Sequence, residues 1–263
     1  MLSTKVREKS AGKKGSMRLL AIILLTAVAV FFAMGESALA TGWKKKAEEL
    51  DNVNVFIEWN TSDGDQGLQF FWDSDGFTRM IVFNESGKKV LDIETKKSVK
   101  DQGLTEVAIE SVEPDESEQT LQEFFDRFPE GAYKFWGRSI EGGWLYGEAD
   151  FTHDLANPVT IDLSDWPTIM WTPGGGADVV GYEVVVEMVV KEVVEDVEDG
   201  EERVFKQTTT LPEFVEQLTV SAEFVRLIGF YEGSEDWEVE ELKVEILADE
   251  ESGNRTITEV DVD

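Results

Sequence analysis

The chain has 263 residues, 41% of them hydrophobic, which is enough for one or two domains with packed cores. Its 55 acidic and 24 basic residues give a formal net charge of −31, and a field of this sign repels phosphate and anionic lipid, so we expect no nucleic-acid partner. There is no cysteine, which excludes thiol nucleophiles and thiolate metal sites, and the single histidine excludes zinc sites built from several imidazoles.

The first forty residues have the pattern of a secretory signal peptide. Basic residues precede an uncharged apolar run at 19–34, and the sequence Ser-Ala-Leu-Ala at 37–40 contains an A-x-A cleavage site. The run has 16 residues, fewer than the roughly 20 of a membrane-spanning helix, although a membrane anchor is the alternative. We therefore expect cleavage after Ala40, export to the periplasm or the medium, and no membrane insertion afterwards. Met17 is an alternative start of the chain.

Residues 41–52 are interpreted as a linker, and residues 53–155 as a first β-rich domain. Alternation of apolar and polar side chains predicts its strands. Two acidic, glycine-containing sequences interrupt them and predict turns at 60–67 and 73–76. The strands are expected at 53–58, 68–72, 77–83, 90–93 and 106–111.

One segment of the first domain has helical periodicity instead. Four large apolar side chains between 121 and 128 are spaced i, i+3, i+4 and i+7. With Ser117 as a cap and Pro129 as the terminator, this spacing predicts one short amphipathic helix at 117–128. We expect its phenyl groups to cover an open edge or end of a sheet, in a packing role.

The segment 129–147 is the most strand-like part of the first domain. Tyr133 and Phe135 alternate with a lysine and a tryptophan, a Glu-Gly-Gly turn follows, and Trp144 and Tyr146 alternate on the return, which predicts a β-hairpin. The Pro-Glu-Gly opening, the Tyr-x-Phe strand and the glycine turn resemble the closing strands of bacterial immunoglobulin-like domains. The resemblance implies a β-sandwich for the first domain.

Residues 153–158 (His-Asp-Leu-Ala-Asn-Pro) mark the boundary to a second domain at 156–263. Trp171 ends an apolar strand just before Thr-Pro, and proline stops the ladder because it has no N–H, so we expect Trp171 to anchor the core. The valine-rich run 181–191 predicts a long buried strand, followed by an acidic hairpin tip at 193–202. Further strands are expected at 159–163, 166–171, 204–209, 218–220, 243–248 and 256–260.

Residues 157–263 resemble a fibronectin type III domain, because their motifs occur in the strand order of that family. The motifs are Trp171-Thr172-Pro173, the run that begins Gly181-Tyr182, Leu218-Thr219-Val220, and Val244-x-Ile246-x-Ala248 with Ser252-Gly253-Asn254. The resemblance implies a seven-stranded sandwich of two sheets. Leu242 stands where the family has a tyrosine, and the segment 226–241 is longer than the family's connection, so we expect a modified corner there.

The chain from about residue 55 onward also resembles exported bacterial proteins of unknown function, which implies no known activity. We therefore expect an all-β fold of two tandem immunoglobulin-like sandwiches. The second sandwich is expected to be similar to fibronectin type III, and the first to hold one short helix.

Two aspartate pairs are the candidate metal ligands, Asp63 with Asp65 and Asp73 with Asp75. Alternate carboxylates beside glycine suit calcium, a hard cation that binds carboxylate and carbonyl oxygens in sharply turned loops. We expect the two turns to share one calcium ion and so to stiffen one end of the first sandwich. The alternative is that turns favour aspartate and glycine without any ion, since neither sequence is a complete EF-hand loop.

The aromatic residues Trp136, Trp144 and Tyr146 are the candidate binding surface, for sugar stacking or for a protein hot spot. The alternative is core packing, because alternation turns one side of the hairpin inward. His153 is interpreted as an exposed loop residue. The acidic residues are too numerous to single out the carboxylate pair of a hydrolase.

We therefore expect a non-catalytic, exported protein that binds another protein or acts as a spacer, with no cofactor unless calcium binds. The alternatives are a calcium-dependent glycan-binding module and a hydrolase that uses two carboxylates.

Overall fold

A computed structural model describes residues 47–193 and 200–262. The predicted signal peptide, residues 41–46 of the predicted linker, and residues 194–199 of the predicted hairpin tip lie outside the described residues. Within the described part of the chain, no helix is long and apolar enough to cross a membrane.

The described residues form strands and three helices, in chain order. The first half contains β1 (Glu48–Glu49), β2 (Asn52–Asn60), β3 (Asp65–Phe83), β4 (Lys89–Glu94), α1 (Lys97–Gln102), β5 (Leu104–Glu110), α2 (Leu121–Arg127), β6 (Gly131–Ser139) and β7 (Trp144–Phe151). The second half contains β8 (Thr160–Asp165), β9 (Thr168–Thr172), β10 (Val179–Glu192), β11 (Glu202–Pro212), β12 (Gln217–Thr219), α3 (Ala222–Glu232), β13 (Trp237–Glu250) and β14 (Arg255–Asp261). The predicted all-β sandwich class is confirmed.

Strand β3 organises the first half because it belongs to two layers. Its first part pairs with β2 and β5, and its second part, from Phe77 onward, pairs mainly with β4 and β6. Gly76 lies between the two parts with a φ of +137°, a conformation that strains any residue with a Cβ. Trp72 and Phe77 pack together across this bend, with ring centroids 5.7 Å apart and no exposed surface.

The predicted turn at 73–76 is therefore wrong, because these four residues lie inside β3. Their aspartates and glycine accompany a bend within one strand and not a reversal of the chain. The predicted helix exists as α2, but it begins later: Thr120, not Ser117, caps it by accepting a hydrogen bond from the backbone N–H of Glu123 (3.3 Å). Two further helices, α1 and α3, lie outside the sequence prediction.

Two sheets enclose the core of the second half. The three strands β12, β9 and β8 form one sheet, and β14, β13, β10 and β11 lie opposite. Trp171 is 3% exposed and packs edge to face on Tyr182 with ring centroids 5.4 Å apart, which confirms it as a core anchor. Helix α3 adds the buried side chains of Phe224, Ile228 and Tyr231 to the same core.

The two halves are joined by a parallel pairing of β14 with β2, in which Arg255 lies opposite Glu58 and Ile257 opposite Asn60. One sheet therefore runs through both halves in the order β5, β3, β2, β14, β13, β10, β11. The two main hydrophobic cores are separate clusters. One is built from residues 50–155 and the other from residues 159–262.

The buried side chain of Asn254 fixes this junction. The backbone N–H of Ile57 donates to Asn254 Oδ1 (2.9 Å), and Asn254 Nδ2 donates to the carbonyl oxygens of Thr152 (3.0 Å) and Asp154 (2.7 Å). Asn254 is 1% exposed, so removing its amide leaves these backbone groups without their protein partner in the interior.

We predict that Asn254→Ala lowers the free energy of unfolding by about 3 kcal/mol, since it leaves buried backbone groups of β2 and of the connecting segment unpaired. Equilibrium urea unfolding measures the loss. The control is Asn157→Ala, an exposed asparagine whose amide donates one bond to Gly174 (3.1 Å), for which we expect a change below about 1 kcal/mol. Equal losses in the two variants would contradict the role of Asn254 at the junction.

Candidate functional site

The three aromatic residues singled out from the sequence share the outer side of the β6–β7 hairpin. Tyr133, Phe135 and Leu145, which alternate with them, point into the first core and are at most 1% exposed. The core-packing alternative is therefore wrong for Trp136, Trp144 and Tyr146, and Trp144 is 37% exposed. Alternation gives the side-chain direction within each strand, and the β6–β7 pairing, with Trp136 opposite Tyr146, brings the three side chains to one face.

The aromatic rings contact one another. Trp136 and Tyr146 have centroids 4.6 Å apart, and Trp144 stands edge to face against Trp136 at 6.4 Å and 89°. The hydroxyl of Tyr146 donates to the carboxylate of Glu148 on the same strand. These contacts hold the rings in fixed relative orientations, so that their exposed surfaces form one continuous apolar area.

Arg138 is a fourth member of this surface and lies outside the sequence prediction. Its guanidinium lies 3.5 Å from the ring centroid of Trp144, a cation–π contact, and Nη1 donates to the carbonyl oxygen of Gly142 (3.2 Å). The hairpin register places Arg138 directly opposite Trp144, which is the signal that could have found it. We call Trp136, Arg138, Trp144 and Tyr146 together the aromatic face.

An open cleft of about 570 Å³ adjoins the aromatic face at Arg138. Helix α1 supplies Lys100 and Asp101 to its wall, the end of β6 supplies Ser139, and the β6–β7 turn supplies Ile140 and Gly142. Two of its three charged lining groups, Lys100 and Arg138, are cationic, in a chain whose net charge is strongly negative.

The neighbouring strands β3 and β4 carry an ordered ion-pair group. Asp92 accepts hydrogen bonds from Arg79 Nε (3.0 Å) and Nη2 (2.9 Å) and from Lys89 Nζ (2.7 Å). These bonds hold the pKa of Asp92 well below its usual range. Arg79 and Lys89 are thus engaged within the sheet, whereas Arg138 is engaged with an aromatic ring.

The two aspartate pairs do not come together, so the predicted shared calcium site is wrong. Asp65 and Asp73 lie eight residues apart on the regular part of β3 that pairs with β2, a separation of about 26 Å. Asp63 lies in the β2–β3 turn, within 3.4 Å of the Asn60 amide, and Asp75 lies on the exposed side of the bend. One ion cannot contact both pairs.

A different group of carboxylates converges at the junction of the two halves. Single oxygen atoms of Glu58, Glu110 and Glu113 all lie within 4.8 Å of one another, the only such trio among residues 47–193 and 200–262. The side chain of Glu113 packs against Gly67, and a Cβ at position 67 would come within 2.8 Å of Glu113 Oε1. The trio comes from distant segments of the chain, so no local sequence pattern indicates it.

Burial raises the pKa of Glu58 to about 7, an effect that the nearby cation Arg255 opposes and that Glu110, Glu245 and Asp249 reinforce. Arg255 Nη1 lies 3.8 Å from Glu58 Oε2 and its Nε donates to Asp249 at 2.7 Å, so its charge is shared between two carboxylates. Glu58 itself is 8% exposed.

His153 is half-buried and not an exposed loop residue as predicted. Its ring stacks on Phe125 of α2 with centroids 4.1 Å apart and planes 7° apart, and its Nε2 lies 2.7 Å from the carbonyl oxygen of Phe128. Its backbone N–H donates to Glu130 (2.7 Å). These contacts dock α2 against the end of β7, which accounts for the residue by packing.

Comparisons with protein-family models and with curated proteins find no match. Among solved structures, the chain is similar to Tp47, the 47-kilodalton lipoprotein of Treponema pallidum, with 13% identity and a TM-score of 0.32 over 86% of this chain and 53% of that one. It is also similar to a tetra-tandem repeat in the extending region of a large adhesion protein, with 12% identity and a TM-score of 0.21 over 81% of this chain and 50% of that one. The chain thus spans about half the length of each.

We predict that the stability of the protein falls as pH rises from about 4.5 to above 7. The folded state binds the proton of Glu58 more tightly than the unfolded state, so that ionisation of this carboxyl costs roughly 3 kcal/mol of folding free energy. Glu58→Gln removes the titrating group. The loss of unfolding free energy between pH 5 and pH 8 is therefore expected to be smaller in this variant than in the wild-type protein by about that amount.

Urea unfolding at both pH values measures this effect. The control is Glu223→Gln, which removes an exposed carboxylate of α3 and is expected to leave the pH dependence unchanged. If the wild-type protein and Glu58→Gln had the same dependence on pH, the buried carboxyl would not be the cause.

Proposed function

We propose that the protein is a non-catalytic, exported binding protein and that the aromatic face contacts a partner protein. The observation that carries the proposal is the continuous outer surface formed by Trp136, Trp144 and Tyr146 with the guanidinium of Arg138. Tryptophan, tyrosine and arginine are the residues that dominate protein–protein hot spots, because they combine large apolar area with a polar group.

The scaffold supports this use of the surface. Strand β6 pairs with β3 on one side and β7 on the other, so the aromatic side chains project from a hydrogen-bonded sheet and lose little freedom on binding. Trp144 is only partly buried, so a partner can cover the exposed area of its side chain.

Charge near the aromatic face favours a partner with an acidic contact surface. Arg138 belongs to the aromatic face, and α1 places Lys100 in the cleft beside it. Screening at physiological salt limits electrostatic range to about 8 Å, so these local cations act on a bound partner more strongly than the distant net charge.

The alternatives from the sequence have less support. The cleft at Arg138 has Asp101 as its single carboxylate, and a second cleft, in the other half, has only Glu232, whereas a glycoside hydrolase needs two facing carboxylates. The calcium-dependent glycan module depended on aspartate pairs that lie about 26 Å apart.

Two finer expectations complete the proposal. The second half is fibronectin type III-like, which is supported by its seven strands in two sheets, β12–β9–β8 and β14–β13–β10–β11. Export is supported by the signal-peptide pattern of residues 1–40.

Site-directed photo-crosslinking tests the proposal. A benzoylphenylalanine at position 144, in cells that make the protein, is expected to give a discrete crosslinked product with one protein. The same probe at Phe214, which is 78% exposed in the other half, is the control and is expected to give none. The crosslinked partner, once purified, should bind the unmodified protein and lose about 2 kcal/mol or more, roughly thirtyfold, with Trp144→Ala.

The result that would contradict protein binding is the same product from both positions, or full affinity in Trp144→Ala. Binding of the aromatic face to a sugar array, abolished by Trp144→Ala and unaffected by chelator, would instead assign the surface to a glycan.

A further inference from the structure

The second half contains a cleft that the proposed function does not use. It has a volume of about 350 Å³, within the range of small-molecule sites. Helix α3 forms one wall, and the beginning of the β8–β9 connection and β13 form others. Val262, which follows β14, forms the last wall, and its N–H donates to the carbonyl oxygen of Leu242 (2.8 Å). Its apolar lining consists of Trp166, Val225, Ile228, Leu242 and Val262.

Gly229 leaves this cleft open. It lies inside α3, where glycine is less favourable than alanine, and a Cβ at this position would meet no heavy atom within 4 Å. Close packing therefore does not require the glycine. Val225, Gly229 and Glu232 are spaced i, i+4 and i+7, so a side chain at position 229 would lie on the cleft side of the helix.

Glu232 gives the cleft a negative end. It is the last residue of α3, where the helix already carries a partial negative charge, and α3 has no basic residue in its last turn to offset it. Among residues 47–193 and 200–262, no ion pair joins Glu232 to a cation. The carboxylate and the helix terminus together favour a positive group in the cleft.

We propose that this cleft binds a small organic cation, a primary ammonium group on a short alkyl or aryl chain. The ammonium group lies beside Glu232 at the C-terminus of α3, and the apolar chain packs along Val225, Ile228 and Leu242. The indole of Trp166 offers a surface both to the chain and to the cation.

Titration with three probes of equal length tests the proposal: hexylammonium, hexanol and hexanoate, at fixed ionic strength. Binding is followed by the indole N–H signal of Trp166 in two-dimensional NMR, assigned from its loss in Trp166→Phe. We expect a saturable shift with hexylammonium, a weaker one with hexanol and none with hexanoate.

Three variants separate the parts of the site. Glu232→Gln is expected to weaken hexylammonium binding about three- to fivefold and to leave hexanol binding unchanged. Gly229→Leu is expected to abolish binding of both while α3 remains folded, because leucine favours a helix more than glycine does. Glu223→Gln makes the same charge change in the first turn of α3, outside the cleft, and is expected to leave binding unchanged.

Equal affinity for hexylammonium and hexanol, equal weakening by the two glutamate variants, or full binding in Gly229→Leu would overturn the proposal. None of these residues belongs to the aromatic face, so the outcome is independent of the protein-binding function proposed above.

Discussion

The parallel pairing of β2 with β14, fixed by the buried amide of Asn254, is the constraint on which the rest of the structure depends. Glu250 adds to it from the end of β13, because its Oε1 accepts hydrogen bonds from the N–H of Ala156 (2.8 Å) and the hydroxyl of Thr256 (3.0 Å). These groups are buried, so the hydrogen bonds between them satisfy polar atoms that have little access to water. Two separate hydrophobic cores are thereby held by one continuous sheet.

The surfaces of the molecule follow from how strands β3 and β6 are placed. Because β3 bends at Gly76 and changes layers, β6 and β7 complete a second layer whose inner side fills the first core with Tyr133 and Phe135. The outer side of that layer is then left for aromatic residues that no core needs. In the second half, α3 occupies the connection before β13 and leaves a cleft beside Leu242, at the corner where the sequence predicts a modified end.

The sequence predicts what depends on local alternation and misses what depends on pairing. Alternation with a predicted hairpin is sufficient for the aromatic residues at 136, 144 and 146, because side-chain direction follows from the strand period. It fails at Asp73 to Gly76, since the same residue types accompany a turn and a bend. It also misses α3, although Phe224, Ile228 and Tyr231 have helical spacing. Arg138 follows from the register of a local hairpin, which places it opposite Trp144. The Glu58 trio needs the pairing of distant strands, which no local pattern contains.

The direction of β2 and β14 has a mechanical consequence. The chain enters β2 at its start and leaves β14 at its end, and the two strands run parallel. Tension between the flanking segments therefore pulls the strands past each other along their length, so that the hydrogen bonds between them and the Asn254 contacts bear the load together and do not open one at a time. A chain anchored at one side and held by a partner at the other would resist extension at this seam.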